Sequence, residues 1–147
     1  MNKLALLLII TIGVIFNSCK KDECGECFTP PAPFVFELID AASGEQIFLF
    51  DSLNINDFEI KNSSDNSLVQ YNFEPDFGTI SLHTIGWKTE MVNYDFYLKD
   101  ELLFHFFVNA ERKLDNCCSF TVYHEIKLEG VTYEFIADRG VYRVFVE

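Results

Sequence analysis

Apolar and polar positions alternate along most of this chain, and no segment keeps a convincing helical period. Phe34, Phe36 and Leu38 alternate with Val35, Glu37 and Ile39, so the first predicted strand is apolar on much of both faces. Ala42-Ser43-Gly44-Glu45 reads as a turn, and Gln46 to Phe50 as a second strand, with Ile47 and Leu49 set against Phe48 and Phe50. In Asp57-Phe58-Glu59-Ile60-Lys61 the two apolar residues point inward and the three charges outward. Beyond a polar turn at Asn62 to Ser67, Val69, Tyr71 and Phe73 share a face. Glu74-Pro75-Asp76-Phe77-Gly78 is another turn signal. Ile80 and Leu82 then point inward, Ser81 and His83 outward. Tyr94, Phe96 and Leu98 oppose Asn93, Asp95, Tyr97 and Lys99, and Lys99-Asp100-Glu101 is a hairpin candidate. Leu102, Phe104, Phe106 and Val108 make the next inward row, and Cys118, Phe120, Val122, His124, Ile126 and Leu128 a long one. Turns at Gly130 and Gly140 introduce Val131, Tyr133 and Phe135, then Val141 to Val146.

About nine strands at near-regular spacing predict an all-β fold, an antiparallel β-sandwich in preference to a small barrel. The opening, a strand followed by Ser43-Gly44-Glu45 and another strand, loosely resembles small Ig-like or transthyretin-like bacterial surface modules. Residues 34–147 make one domain of ordinary size. Sixteen Phe, six Tyr and one Trp are ample material for its core. Residues 19–33 read as a linker: they hold Cys24 and Cys27 and end in Thr29-Pro30-Pro31-Ala32-Pro33. Its prolines lack the ladder donor and favour extended geometry, which makes a semi-stiff spacer.

The first residues change the picture. Lys3 precedes thirteen uncharged residues, Leu4 to Phe16, and Phe16-Asn17-Ser18-Cys19 follows at once. A basic start, a short apolar stretch and a small residue at the cut describe a secretory signal, residues 1–18. The stretch is too short for a spanning helix, which needs about 20 apolar residues. Cysteine at the cut resembles the lipobox of bacterial lipoproteins, in which that cysteine is acylated and becomes the first mature residue. Ser18-Cys19-Lys20-Lys21-Asp22-Glu23 is similar to the start of Bacteroidota lipoproteins, some of which use a lysine followed by two acids as a surface-export signal. The resemblance covers residues 1–23 and implies lipidation of Cys19 and an outer-membrane location facing the cell surface, with the periplasmic face as the alternative.

Charge then narrows the partners. Residues 1–18 carry one lysine and no acid, so the mature chain has 23 acidic and 10 basic side chains, a formal charge of −13. That excludes nucleic acid, whose phosphates need clustered Lys and Arg. Membrane attachment falls instead to the acyl chains on Cys19. Asn62 to Asn66 contains one carboxylate, Asp65, and reads as a turn rather than a Ca²⁺ loop.

With Cys19 lipidated, Cys24, Cys27, Cys117 and Cys118 remain, an even number in an exported chain, which suggests disulfides. A ring closed by adjacent cysteines is strained, so both arm cysteines are expected to reach Cys117 and Cys118, in either order. Such bridges would fasten the proline arm to the sheet. Cys24-Gly25-Glu26-Cys27 has the spacing of a redox site but lacks the strand and helix around it, and Cys117-Cys118 lacks the spacing of a zinc knuckle. No metal and no cofactor is expected.

Catalytic motifs are absent: neither H-E-x-x-H nor G-x-S-x-G occurs around His83, His105 or His124. His124 falls on an inward row and is expected as a satisfied core or edge histidine. Trp87, Tyr97 and Phe107, with His105, are candidate glycan contacts, set against the plainer expectation that these rows pack on a second sheet. The leading expectation is a non-catalytic envelope lipoprotein that acts as a binding or assembly module for a protein or glycan partner. A barrel carrying an apolar ligand comes second and a hydrolase third; a filled or hollow interior separates the first two.

Overall fold

Nine strands form and pair into two sheets in this computed structural model, which describes Cys27 and residues 29–49, 54–115 and 118–147. They are β1 (Phe34–Asp40), β2 (Phe58–Asn62), β3 (Asn72–Glu74), β4 (Thr79–Leu82), β5 (Glu90–Leu98), β6 (Glu101–Asp115), β7 (Cys118–Glu129), β8 (Thr132–Ile136) and β9 (Val141–Val146). One sheet has the order β3-β4-β1-β9-β8 and the other β2-β5-β6-β7. The fold is the expected all-β sandwich. It is not purely antiparallel: β1 and β9 run parallel, Val35 opposite Val141 through Asp40 opposite Val146.

The space between the sheets is filled with rings. Phe36 on β1 lies 5.0 Å from Phe96 on β5 and 5.1 Å from Phe106 on β6, and Phe96 stacks on Phe104 at 4.3 Å. All four are buried, with Leu38, Ile60, Ile80, Leu82, Val108 and Val144 packed around them. Each fully buried side chain of this kind stabilises the fold by about 1.5–3 kcal/mol, and edge-to-face ring pairs add to that.

Two irregularities correct the expected rows. In the β5–β6 ladder Phe96 pairs with Phe104 but Tyr97 pairs with Leu102, which leaves Leu103 as an extra residue. The side-chain period slips by one there. Leu102, expected inside, is therefore exposed, and Leu103 packs against the core. In the β6–β7 ladder Asn109 pairs with Glu125 and Ala110 with Tyr123, so His124 is the extra residue. The inward row runs Leu128, Ile126, Tyr123, and His124 is exposed instead of lying in the core.

Gln46 to Phe50 is not a strand in its described part. Gln46 bridges Ile39 once, and Gln46 to Leu49 then turn. Ile47 and Phe48 are both buried within that turn. The Gln46 amide instead donates to the carbonyl of Gly78 at 3.1 Å. Phe50 lies outside the described residues. Tyr133 and Phe135 sit on the edge strand β8 and remain 41% and 50% exposed, each beside the Tyr142 ring.

The long hairpin defines two poles. At one, Leu98 pairs with Glu101 around Lys99 and Asp100, both with positive φ, as a two-residue hairpin requires. At the other, β6 and β7 continue past the last β5 pair, Glu90 with Ala110, as a two-stranded ribbon of Glu111–Asp115 and Cys118–Val122. Among the described residues no strand of the opposite sheet pairs with this ribbon, and other contacts hold it.

Candidate functional site

Those contacts converge on the proline arm. Cys27 forms a disulfide with Cys118, 91 residues away, with a Cα–Cα distance of 4.9 Å. The expected fastening of the arm to the sheet is therefore present, and of the two orders left open it is Cys27 that meets Cys118. Cys19, Cys24 and Cys117, the segment 1–18 and Lys21-Asp22-Glu23 lie outside the described residues.

Arg112 works beside the disulfide. Its guanidinium donates to the Thr29 carbonyl at 2.9 Å, to the Ser119 hydroxyl at 2.7 Å and to the Thr121 hydroxyl at 2.8 Å. Its planar fork of five donors suits three acceptors at once. The Thr121 hydroxyl in turn donates to the Gly86 carbonyl at 2.6 Å, and the Tyr123 hydroxyl donates to the Ala32 carbonyl at 3.2 Å. Burial pushes the Tyr123 phenol up, which keeps it a donor.

Gly86 is where loop, ribbon and arm touch. Its φ is +90°, and a Cβ there would lie 2.8 Å from the Thr121 methyl, 2.9 Å from the Tyr123 hydroxyl and 3.2 Å from Pro31. Only glycine accepts both that backbone and that crowding. Sequence reasoning found Cys27 and Cys118 but not Arg112, Thr121, Tyr123 or Gly86. An isolated arginine carries no mark of its partners 83 residues upstream.

The outward face of the four-stranded sheet holds a second cluster. Asp95 is buried at 8% exposure. Its Oδ1 accepts from the Ser63 hydroxyl at 2.7 Å and contacts His105 Nδ1 at 2.6 Å. A carboxylate oxygen only accepts, which puts the proton on Nδ1 and leaves Nε2 as the outer nitrogen. Ser63 faces the carboxylate and not the imidazole, so the three do not form a nucleophile–base–carboxylate relay.

Tyr97 and Phe107 lie on this same face, one pair to either side of Asp95 and His105. Trp87 precedes β5, and Tyr97 stands near that strand's far end, about 24 Å from its first residue at about 3.4 Å per residue. The Lys61 ammonium sits 4.9 Å over the Tyr97 ring and covers one of its faces. Trp87 donates its Nε1 proton to the His83 carbonyl at 2.8 Å.

The histidines have three separate settings. His83 Nε2 meets the Ser81 hydroxyl at 3.0 Å, His105 meets Asp95, and His124 Nε2 meets Glu111 at 2.7 Å. His124 and then Lys113 hold the Glu111 carboxyl below its ordinary range. Among the described residues no group of three or more His, Cys, Asp and Glu is placed to hold a metal ion.

On the five-stranded sheet, Glu37 is buried at 7% exposure in the middle of the largely apolar β1. Arg143, its register partner on β9, donates Nε at 2.9 Å, and Arg139 approaches to 3.4 Å. A cleft of about 410 Å³ opens beside this pair, with Leu49, Phe77 and Arg139 in its walls. Two further clefts, of about 440 and 470 Å³, adjoin at the hairpin pole and share Glu101, Leu103, Val146 and Glu147. All three border the filled core and do not replace it. Comparison with family models, curated proteins and solved structures finds no match for the chain.

Proposed function

We propose that this chain is a non-catalytic lipoprotein module of the bacterial envelope, anchored in the outer membrane through acyl chains on Cys19 and facing the cell surface. Its sandwich serves as a rigid body that binds a protein or glycan partner. The observation that carries the reading is the fastening of the arm: Cys27 is bonded to Cys118, and Arg112 and Tyr123 hold the Thr29 and Ala32 carbonyls. A linker that served only as a loose tether would have no use for these contacts. Fixing it to the sheet gives the domain a defined attitude to its anchor.

The ring-filled interior supports this reading over an apolar-ligand carrier, which requires an internal cavity. The Ser63–Asp95–His105 arrangement lends no support to a hydrolase, because its hydroxyl is turned from the imidazole. Among partners, a glycan draws its support from Tyr97 and Phe107 on the outward face.

Intact mass of the native protein tests the anchor. The expected mass is that of a chain beginning at Cys19 and carrying acyl groups, and Cys19→Ser should move the protein out of the membrane fraction. A mature chain that still begins with Met1 and bears no fatty modification would overturn the reading. Protease shaving of intact cells tests display: degradation of the domain is expected, and full protection would place it on the periplasmic face.

A further inference from the structure

The arm enters at one pole of an elongated body, and that pole is unlike the other. Leu114 on the ribbon is 74% exposed and Trp87 is 47% exposed. They stand close along the fold: Trp87 follows Gly86, whose carbonyl binds Thr121, the register partner of Arg112, and Leu114 lies two residues beyond Arg112. Each has a lysine as its chain neighbour, Lys88 and Lys113. Lys88 pairs with Glu90 at 3.8 Å and Lys113 with Glu111 at 3.2 Å, and with Arg112 and Asp115 the formal charges of these described residues sum to zero. The hairpin pole differs: its first cleft is lined by Asp40, Glu45, Glu101 and Glu147, with Lys99 as the cation among its lining residues.

We propose that the ribbon pole, through Trp87 and Leu114 with Lys88 and Lys113 beside them, seats in the phospholipid interface of the membrane that carries the lipid anchor. This inference rests on the acylation of Cys19 proposed above. Tether length decides between the attitudes. Cys19 precedes Cys27 by eight residues, which span at most about 28 Å when fully extended. From Glu101 to Asp115, β6 covers fourteen residue steps, roughly 47 Å at about 3.4 Å each. Standing on the hairpin pole would lift Cys118 that far from the surface, beyond the reach of the tether. The acidic lining of that pole also opposes anionic headgroups. With the ribbon down, the indole and leucine leave water for the interface, where tryptophan is favoured, and the two lysines meet phosphates.

Trp87 is the one tryptophan of the chain, so its fluorescence reports this contact alone. The native, acylated protein is reconstituted in vesicles of phosphatidylethanolamine and phosphatidylglycerol whose acyl chains carry bromine near the headgroup. Quenching and a blue shift of the emission are expected, with weaker quenching in Leu114→Glu at equal vesicle occupancy. Reducing the Cys27–Cys118 disulfide should lose the quenching while the acyl chains keep the protein on the vesicle. An acylated, vesicle-bound protein whose Trp87 emission matches that in water overturns the seating and leaves the anchor standing. Quenching that persists after reduction overturns the role given to the arm. A chain without acyl groups overturns the anchor itself, and the seating with it.

Discussion

The β6–β7 hairpin is one pair of strands held by two kinds of physics. Toward the hairpin pole, Phe104, Phe106 and Val108 are buried under the rings of β1 and β5. Past Ala110 and Tyr123 no ring layer covers the same strands among the described residues. Arg112, Thr121, Ser119 and the Cys27–Cys118 disulfide replace it. The body is stabilised by apolar area removed from water, which needs shape but no particular partner. The ribbon is stabilised by a few directional bonds to an arm about ninety residues upstream, and each of these has one partner. The body should therefore lose stability globally when damaged, and the ribbon locally.

The largest effect belongs to the body. Phe96→Ala should lower the unfolding free energy by about 3–5 kcal/mol, because Phe36, Phe58 and Phe104 around it cannot all close the space. Denaturant titration measures it, and a loss under about 1 kcal/mol would mean the core is far more pliable than its packing indicates.

Next comes the covalent fastening. Reduction, or paired Cys27→Ser and Cys118→Ser, should cost about 2–4 kcal/mol in the chain-entropy account. It should also open residues 29–33 to proteolysis before the sheets unfold. If the arm and the core instead became accessible together, the division between local and global stability would fail.

Gly86→Ala should cost about 1–3 kcal/mol through its strained φ, and the added Cβ should push Pro31 and Tyr123 from the loop. Amide exchange near Thr29 and Ala32 should rise more than exchange in β1. Equal protection in wild type and variant would show that the loop does not hold the arm.

The smallest effect is absent at neutral pH. Burial raises the phenols of Tyr71, Tyr94, Tyr123 and Tyr142 in the folded state. The folded chain keeps protons that the unfolded chain releases, so this stabilisation is complete below about pH 10 and fades as pH rises through the folded values. Melting temperature should hold up to about pH 9 and fall beyond about pH 10. Tyr123→Phe should flatten part of that fall and loosen the arm, since it removes the donor to Ala32.

Much of the sandwich was legible because a half-buried strand writes its two faces as alternation. Phe58 and Ile60, Ile80 and Leu82, and Phe104 to Val108 all point as their spacing indicates. Two of the misses share a cause. Leu102 and His124 were assigned by counting twos along strands that each hold an extra residue, and a bulge leaves no mark in a single sequence. Gln46 to Leu49 is an apolar run after one polar residue, and it turns where the Gln46 amide donates to the Gly78 carbonyl. Of the candidate site, Cys27 and Cys118 were legible from cysteine count alone. Glu37 gave a fainter sign, an acid flanked by apolar residues in mid-strand, but its partner Arg143 is set by a parallel register more than a hundred residues away.

By itself the sequence determined the class of fold, the inward rings and the cysteines that fasten the arm, because periodicity and oxidation chemistry act on residue type and spacing. Tertiary structure decided which cysteine order forms, which way β6 and β7 turn their side chains past each bulge, and which pole receives the arm. Those outcomes depend on register and on contacts between residues far apart in the chain, where the energy resides in relative position and not in composition.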